Sequence, residues 1–259
     1  MSAPAAARNG GLAGTRPARI SADMDKAATM HLDRTTAMRP DMAAARRFMV
    51  DGQLRPNKVV DPSLLAAMGD LPRERFLPPG LAARAYADED VRLPGGRAMI
   101  QPMVIARLLQ LLRLREGDRM LVLGAGTGYA AAVAARCGAR VTAVESDEAL
   151  FGLARGAIAG LLPAGTLNLV RADPLRGHAA DAPYDAILIE GEIAGIPEGI
   201  AAQLAEGGRL ATILAAAERR LSSRAVLGLR QGGSFSVTDA FDCATLPLPQ
   251  FRPAPRFAF

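Results

Sequence analysis

The chain has 259 residues, half of them apolar, with a formal net charge of +5. That is enough apolar surface for a sizeable core, and no apolar run reaches the roughly 18 to 20 residues needed to span a bilayer. Six basic and three acidic side chains lie at or before Arg39 and carry +3 of the +5, so the remaining +2 makes no case for a nucleic-acid binder, which wants a concentrated basic face.

Residues 1–37 are rich in Ala, Arg, Gly and Pro without an apolar period, which predicts a disordered tail. Met38 as the true start and an Arg-rich transit peptide are competing readings; the absence of a clean apolar stretch argues against a secretory signal. Residues 38–100 read as an amino-terminal helical and connector region, and 101–259 as the ligand-binding core. Ala43 to Val50 predicts a helix, followed by a turn at Arg55-Pro56-Asn57. Asp61-Pro62-Ser63 caps a second helix from Leu64 to Gly69. Leu71 to Pro79 is too dense in proline to be regular. Arg92, Arg97 and Arg107, near Gln101-Pro102, read as surface residues, with pairing to a substrate carboxylate as the alternative. Cys137, Cys243, His31 and His178 are too few and too scattered for a disulfide framework or a metal site, so the expectation is no metal and a reducing compartment.

Met120 to Tyr129 reads as a buried strand that stops at three alternate glycines, with a helix over Ala130 to Arg136. Gly124, Gly126 and Gly128 allow a sharp turn and close approach of backbone to a ligand. The spacing leaves two cofactors open. Tyr129 stands where a dinucleotide fingerprint counted from Gly124 wants glycine, yet Gly126-x-Gly128-x-x-Ala131 satisfies the looser form. Arg140 to Asp147 predicts a second parallel strand ending on Glu145, whose carboxylate can accept from both ribose hydroxyls; a solvated loop acid is the bland alternative. Thr166 to Asp173, Tyr184 to Glu190 and Gly208 to Leu214 predict a third, fourth and fifth strand. Arg224 to Arg230 and Phe235 to Phe241 flank Gln231-Gly232-Gly233 as an antiparallel hairpin. Strands alternating with helices predict a doubly wound α/β sheet whose strand tips, at Gly124 to Gly128, Glu145, Asp173 and Glu190, line one crevice.

Several segments in order resemble the protein-L-isoaspartate O-methyltransferase family: Met49-Val50-x-x-Gln53-Leu54, Pro72-Arg73-x-x-Phe76, Ala85 to Asp88, Gln101-Pro102, Leu121 to Tyr129, Val141 to Asp147, Ala182 to Ile189 and Leu204-x-x-Gly207-Gly208-Arg209-Leu210. The likeness spans about residues 42 to 215. It implies a seven-stranded, mostly parallel Rossmann-like sheet, and S-adenosyl-L-methionine as cofactor. It also implies a cytoplasmic, monomeric enzyme that methylates the carboxylate of isoaspartyl residues in damaged proteins, without nucleic-acid or membrane partners. By the same likeness Gly124, Ala125, Gly126, Thr127 and Gly128 meet the methionine and ribose, Glu145 and Ser146 the ribose hydroxyls, and Ala172 and Asp173 the adenine. A helix N-cap or turn acid before Pro174 is the alternative reading of Asp173. Ile100, Gln101 and Glu190 fall on the acceptor side. Three departures stand out: Ala98-Met99-Ile100 replaces the family's Thr-Ile-Ser, Val122 replaces an acid before the glycine loop, and Glu190 and Glu192 replace small or hydroxyl residues. Two ionised carboxylates there would oppose a carboxylate acceptor. A methyltransferase with another acceptor, and a non-catalytic cofactor-binding sensor or scaffold, are the remaining alternatives.

Overall fold

The computed structural model describes residues 41–216 and 222–252, so the tail expected over 1–37 lies outside the described residues. Helix α1, Met42–Phe48, starts where the Asp41 side chain accepts from the Ala44 amide at 2.9 Å. It runs on past Val50 as a π-helical segment, Met49–Leu54, and a 3-10 turn, Arg55–Asn57. The wide segment buries Met49, Val50 and Leu54 together, which one regular period does not suggest.

Helix α2, Pro62–Asp70, is capped as its sequence requires: Asp61 Oδ1 accepts from the amides of Ser63 (2.9 Å) and Leu64 (3.1 Å). Asp61→Ala is expected to cost about 1 kcal/mol of unfolding free energy, measurable by urea denaturation. Two 3-10 segments, Arg73–Phe76 and Pro79–Arg84, lead to an element of which periodicity gives no sign, a short hairpin of β1 (Val91–Leu93) and β2 (Arg97–Met99) turned by Pro94-Gly95-Gly96. Helix α3, Pro102–Leu112, follows.

The main sheet contains β3 (Arg119–Leu123), β4 (Arg140–Glu145), β5 (Leu167–Arg171), β6 (Tyr184–Ile193), β7 (Leu204–Leu214), β8 (Arg224–Gln231) and β9 (Ser234–Asp242). Their spatial order is β5-β4-β3-β6-β7-β8-β9; the first five are parallel and β8 and β9 form the antiparallel hairpin. Helices α4 (Tyr129–Arg136), α5 (Glu148–Ile158) and the short α6 (Glu198–Ala201) connect the parallel strands. Alternate residues of β3 and β6 enter opposite cores. Met120, Val122, Ala186 and Leu188 pack on one side, Leu121, Leu123, Ile187 and Ile189 on the other. Both sheet faces are therefore covered, as near-continuous apolar strands require.

The chain winds outward from β3 through β4 to β5, then returns to β6 on the other side, so the reversal falls between β3 and β6. Crevices at such switch points hold ligands in doubly wound sheets. β6 extends to Ile193, beyond the expected end at Glu190, because it carries a bulge. Leu188 pairs with Ala211 but Glu192 with Ile213, and the Thr212 hydroxyl donates to Ile189 O (3.2 Å) and Gly191 O (3.3 Å) inside it. Bulges re-aim side chains, and this one sets the direction of Glu190.

Candidate active site at the strand tips

β3 stops because Gly124 and Gly126 adopt φ of +65° and +56°, left-handed values that side chains disfavour. The loop then wraps the tip of β4. Ala125 N donates to Val144 O at 3.1 Å, and Gly126 N donates to Glu145 Oε2 at 2.7 Å. Glu145 is fully buried. Its Oε1 also accepts from the amides of Ser146 and Asp147, each at 2.9 Å. It is thus no solvated loop acid: the backbone of two loops is folded around it.

The remaining partner of Glu145 was not expected there. Arg97 Nη1 lies 3.0 Å from both carboxylate oxygens, and Arg97 Nη2 donates to Gly124 O at 2.6 Å. Arg97 is only 4% exposed, which corrects its reading as a surface residue. Burial of a carboxylate requires a compensating charge, and the Gly95-Gly96 turn, with φ of +69° and +70°, swings Arg97 inward to supply it. Arg92 is exposed, as expected, whereas Arg107 is half-buried with its guanidinium 3.7 Å from the centroid of the Phe241 ring.

A second occupant is Leu248, 2% exposed, from a segment that follows β9. A Cβ built on Gly124 would meet Leu248 Cδ2 at 2.9 Å, and one on Gly191 would meet Leu248 Cβ at 2.9 Å. The two glycines therefore form a notch that the leucine fills. The anticipated crevice exists as a place in the fold, but Arg97 and Leu248 occupy its floor.

Beside them is a buried polar cluster. Arg73 is fully buried, donates from Nε to Ala85 O (2.7 Å) and from Nη2 to Ile100 O (2.6 Å), and stacks its guanidinium 4.7 Å from the Tyr129 ring centroid. Burial lowers its pKa, opposed by Tyr129 and Glu190. Glu190 is buried too, and burial pushes its carboxyl up to about 8 against the pull of Arg97 and Arg73. Glu190 Oε2, Arg73 Nη1 and Tyr129 Oη have no hydrogen-bond partner among the described residues. Glu192 instead turns to the Ser223 hydroxyl, which donates to it. The expected opposition of two ionised carboxylates is thereby relieved, since burial favours the neutral form of Glu190 and Glu192 is engaged elsewhere.

Of the other site residues expected from sequence, Thr127 is buried in the loop and Gly128 forms the N-cap of α4. Ile100 is buried, and the Gln101 amide donates to Asp90 Oδ1 at 2.8 Å. Ser146 is exposed next to Glu145, and Ala172 is half-buried at the tip of β5. Asp173, exposed, accepts from the Leu175 amide at 3.0 Å and so caps a 3-10 turn, Pro174–Arg176. Arg73, Arg97 and Leu248 were missed as site residues. Arg73 entered only through the Pro72-Arg73-x-x-Phe76 pattern, and Arg97 only as a surface residue or a partner for a substrate carboxylate.

A family model described as "Protein-L-isoaspartate(D-aspartate) O-methyltransferase (PCMT)" matches residues 46–250. The chain belongs to this family. The match runs beyond the fifth parallel strand to include the hairpin and Leu248. Among relatives, a protein-L-isoaspartate O-methyltransferase of Methylorubrum populi is 43% identical over 167 residues, covering 64% of this chain and 78% of that one. One from Koribacter versatilis is 34% identical over 215 residues, covering 82% and 95%. A solved protein-L-isoaspartate O-methyltransferase superposes with a TM-score of 0.67 at 25% identity, over 78% of this chain and 65% of that one. A putative protein-L-isoaspartate O-methyltransferase from Plasmodium falciparum, solved with S-adenosyl-L-homocysteine, shares the fold at TM-score 0.66 and 18% identity, covering 78% and 97%. This isoaspartate methyltransferase relative thus has the class I methyltransferase sheet.

Proposed function

We propose that the chain is an S-adenosylmethionine-dependent methyltransferase that esterifies the side-chain carboxylate of isoaspartyl residues in damaged proteins. Family membership over 46–250 carries this reading. The donor set supports it, since the tip of β3 provides a glycine loop without Cβ atoms and the tip of β4 a carboxylate with adjacent amides, the chemistry a ribose and its neighbours need. These residues fit the cofactor in kind, once Arg97 and Leu248 have withdrawn from the space above them.

Gly124 to Gly128 would cradle the methionine and ribose, Glu145 and Ser146 the ribose hydroxyls, and Ala172 and Asp173 the base. S-adenosylmethionine, when bound, supplies a methyl group on a sulfonium. The chain's own task is to align an acceptor oxygen and keep water out, because an ionised carboxylate needs no strong base. Ile100, Gln101 and Glu190 would border that oxygen. A protonated Glu190 would neither repel it nor leave a buried anion, and its O–H could donate a hydrogen bond to the acceptor carboxylate while keeping its proton. A monomer working in the cytoplasm, without nucleic-acid or membrane partners, belongs to the same proposal.

The test is tritium transfer from S-adenosylmethionine to an isoaspartyl peptide beside its aspartyl twin. Selective labelling, lost in Gly126→Val, is the expected result; labelling of neither peptide would reject the assignment. The lack of a hydroxyl in Ala98-Met99-Ile100 favours one second reading, a different acceptor, which would appear as labelling of other substrates only.

A further inference from the structure

We infer that the cofactor pocket is latched by the chain itself: Arg97 stands in for the ligand's donor groups on Glu145 and Gly124 O, Leu248 plugs the Gly124–Gly191 notch, and entry requires both to leave. This rests on the methyltransferase reading above, and adds to it a closed state with a defined release.

The first ground is acceptor capacity. Glu145 Oε1 already takes N–H groups from Arg97, Ser146 and Asp147, and Oε2 takes them from Arg97 and Gly126. A carboxylate offers about four lone-pair positions, and the three amides fill all but one of them, so a ribose hydroxyl cannot be added until Arg97 withdraws. Gly124 O is held by the same guanidinium.

The second ground is shape. Leu248 lies where a Cβ on either facing glycine would clash, so the loop's bare backbone is covered by this side chain.

The third ground is where the covering segment, whose Leu248 and Phe251 are both buried, is fastened. Leu248 N donates to Glu192 O (2.8 Å) and Glu192 N to Leu246 O (3.3 Å). Thr245 Oγ1 donates to Asp90 Oδ2 at 2.6 Å, and Gln250 Nε2 to Ser146 Oγ at 3.0 Å. Pro249 Cγ lies 3.8 Å from a Cβ built on Gly96. Asp90 and Gly96 flank β1 and the turn that presents Arg97, and Ser146 follows Glu145. The strap and the arginine therefore share their supports, and loosening one loosens the other.

The experiment is calorimetric titration of the full chain, its Leu248→Ala variant and its Arg97→Gln variant with S-adenosylhomocysteine, alongside amide hydrogen exchange over residues 244–252. Both variants are expected to bind at least tenfold more tightly than the parent, and saturating ligand is expected to speed exchange over 244–252 in the parent. One variant suffices if the other fails to fold. Equal affinity in the parent and the folded variants, with exchange of the strap unchanged on binding, overturns the latch while leaving the methyltransferase reading intact. No binding by the parent or any folded variant overturns both.

Discussion

Arg97→Ala is expected to lower the unfolding free energy by about 3 to 5 kcal/mol, because it strands a fully buried Glu145 without its countercharge. The backbone amides of Gly126, Ser146 and Asp147 remain, so the loss falls short of the full cost of an isolated buried charge. The companion change Glu145→Gln should cost a similar amount by stranding Arg97, and the double variant less than the sum of the two. Urea denaturation of all four proteins gives the coupling directly. Additive effects would mean that the two groups do not share their burial, contrary to two contacts of 3.0 Å.

Glu190→Gln is expected to flatten the pH dependence of stability between about pH 5 and 9. The carboxyl is held at about 8 in the fold, mainly by burial, against an ordinary value of 4.5. The folded state therefore binds the proton more tightly than the unfolded chain. Its stabilising contribution is fully present below the ordinary value and is lost as pH rises through the folded one. At about 1.4 kcal/mol per unit, the parent should lose roughly 3 to 5 kcal/mol relative to the variant on going from pH 5 to pH 9. Denaturation curves at intervals across that range check it; parallel curves for the two proteins would place Glu190 in contact with water.

Much of this fold was legible in the chain. Continuous apolar runs around Met120 to Leu123 and Ala186 to Ile189 identify strands covered on both faces, and the glycine pair after Gln231 marks the hairpin. Glu145 could be placed at a strand tip for the same reason. Its partner could not. A three-residue hairpin leaves too few positions for any period, so nothing in Pro94-Gly95-Gly96-Arg97 says whether the arginine points to water or inward. Glu190 was visible as an acid at the end of an apolar strand, but the bulge that aims it depends on pairing with Thr212, twenty-odd positions away. Leu248 was invisible for a related reason: a leucine between prolines has no neighbours in sequence that reveal which glycines it will meet.

The topology also separates near pairings from distant ones. Met120 pairs with Val141 on one side and with Ala186 on the other, so β3, β4 and β5 can zip from one continuous stretch while β6 must return over a much longer loop. The mouth at the reversal is then finished by two outlying contributors, the hairpin carrying Arg97 from upstream and the segment carrying Leu248 from downstream. A rim built from a hairpin and a late segment that both lie outside the main sheet can open while the central strands stay paired. The chain thus makes the door of the crevice from elements separate from the sheet that forms its back wall.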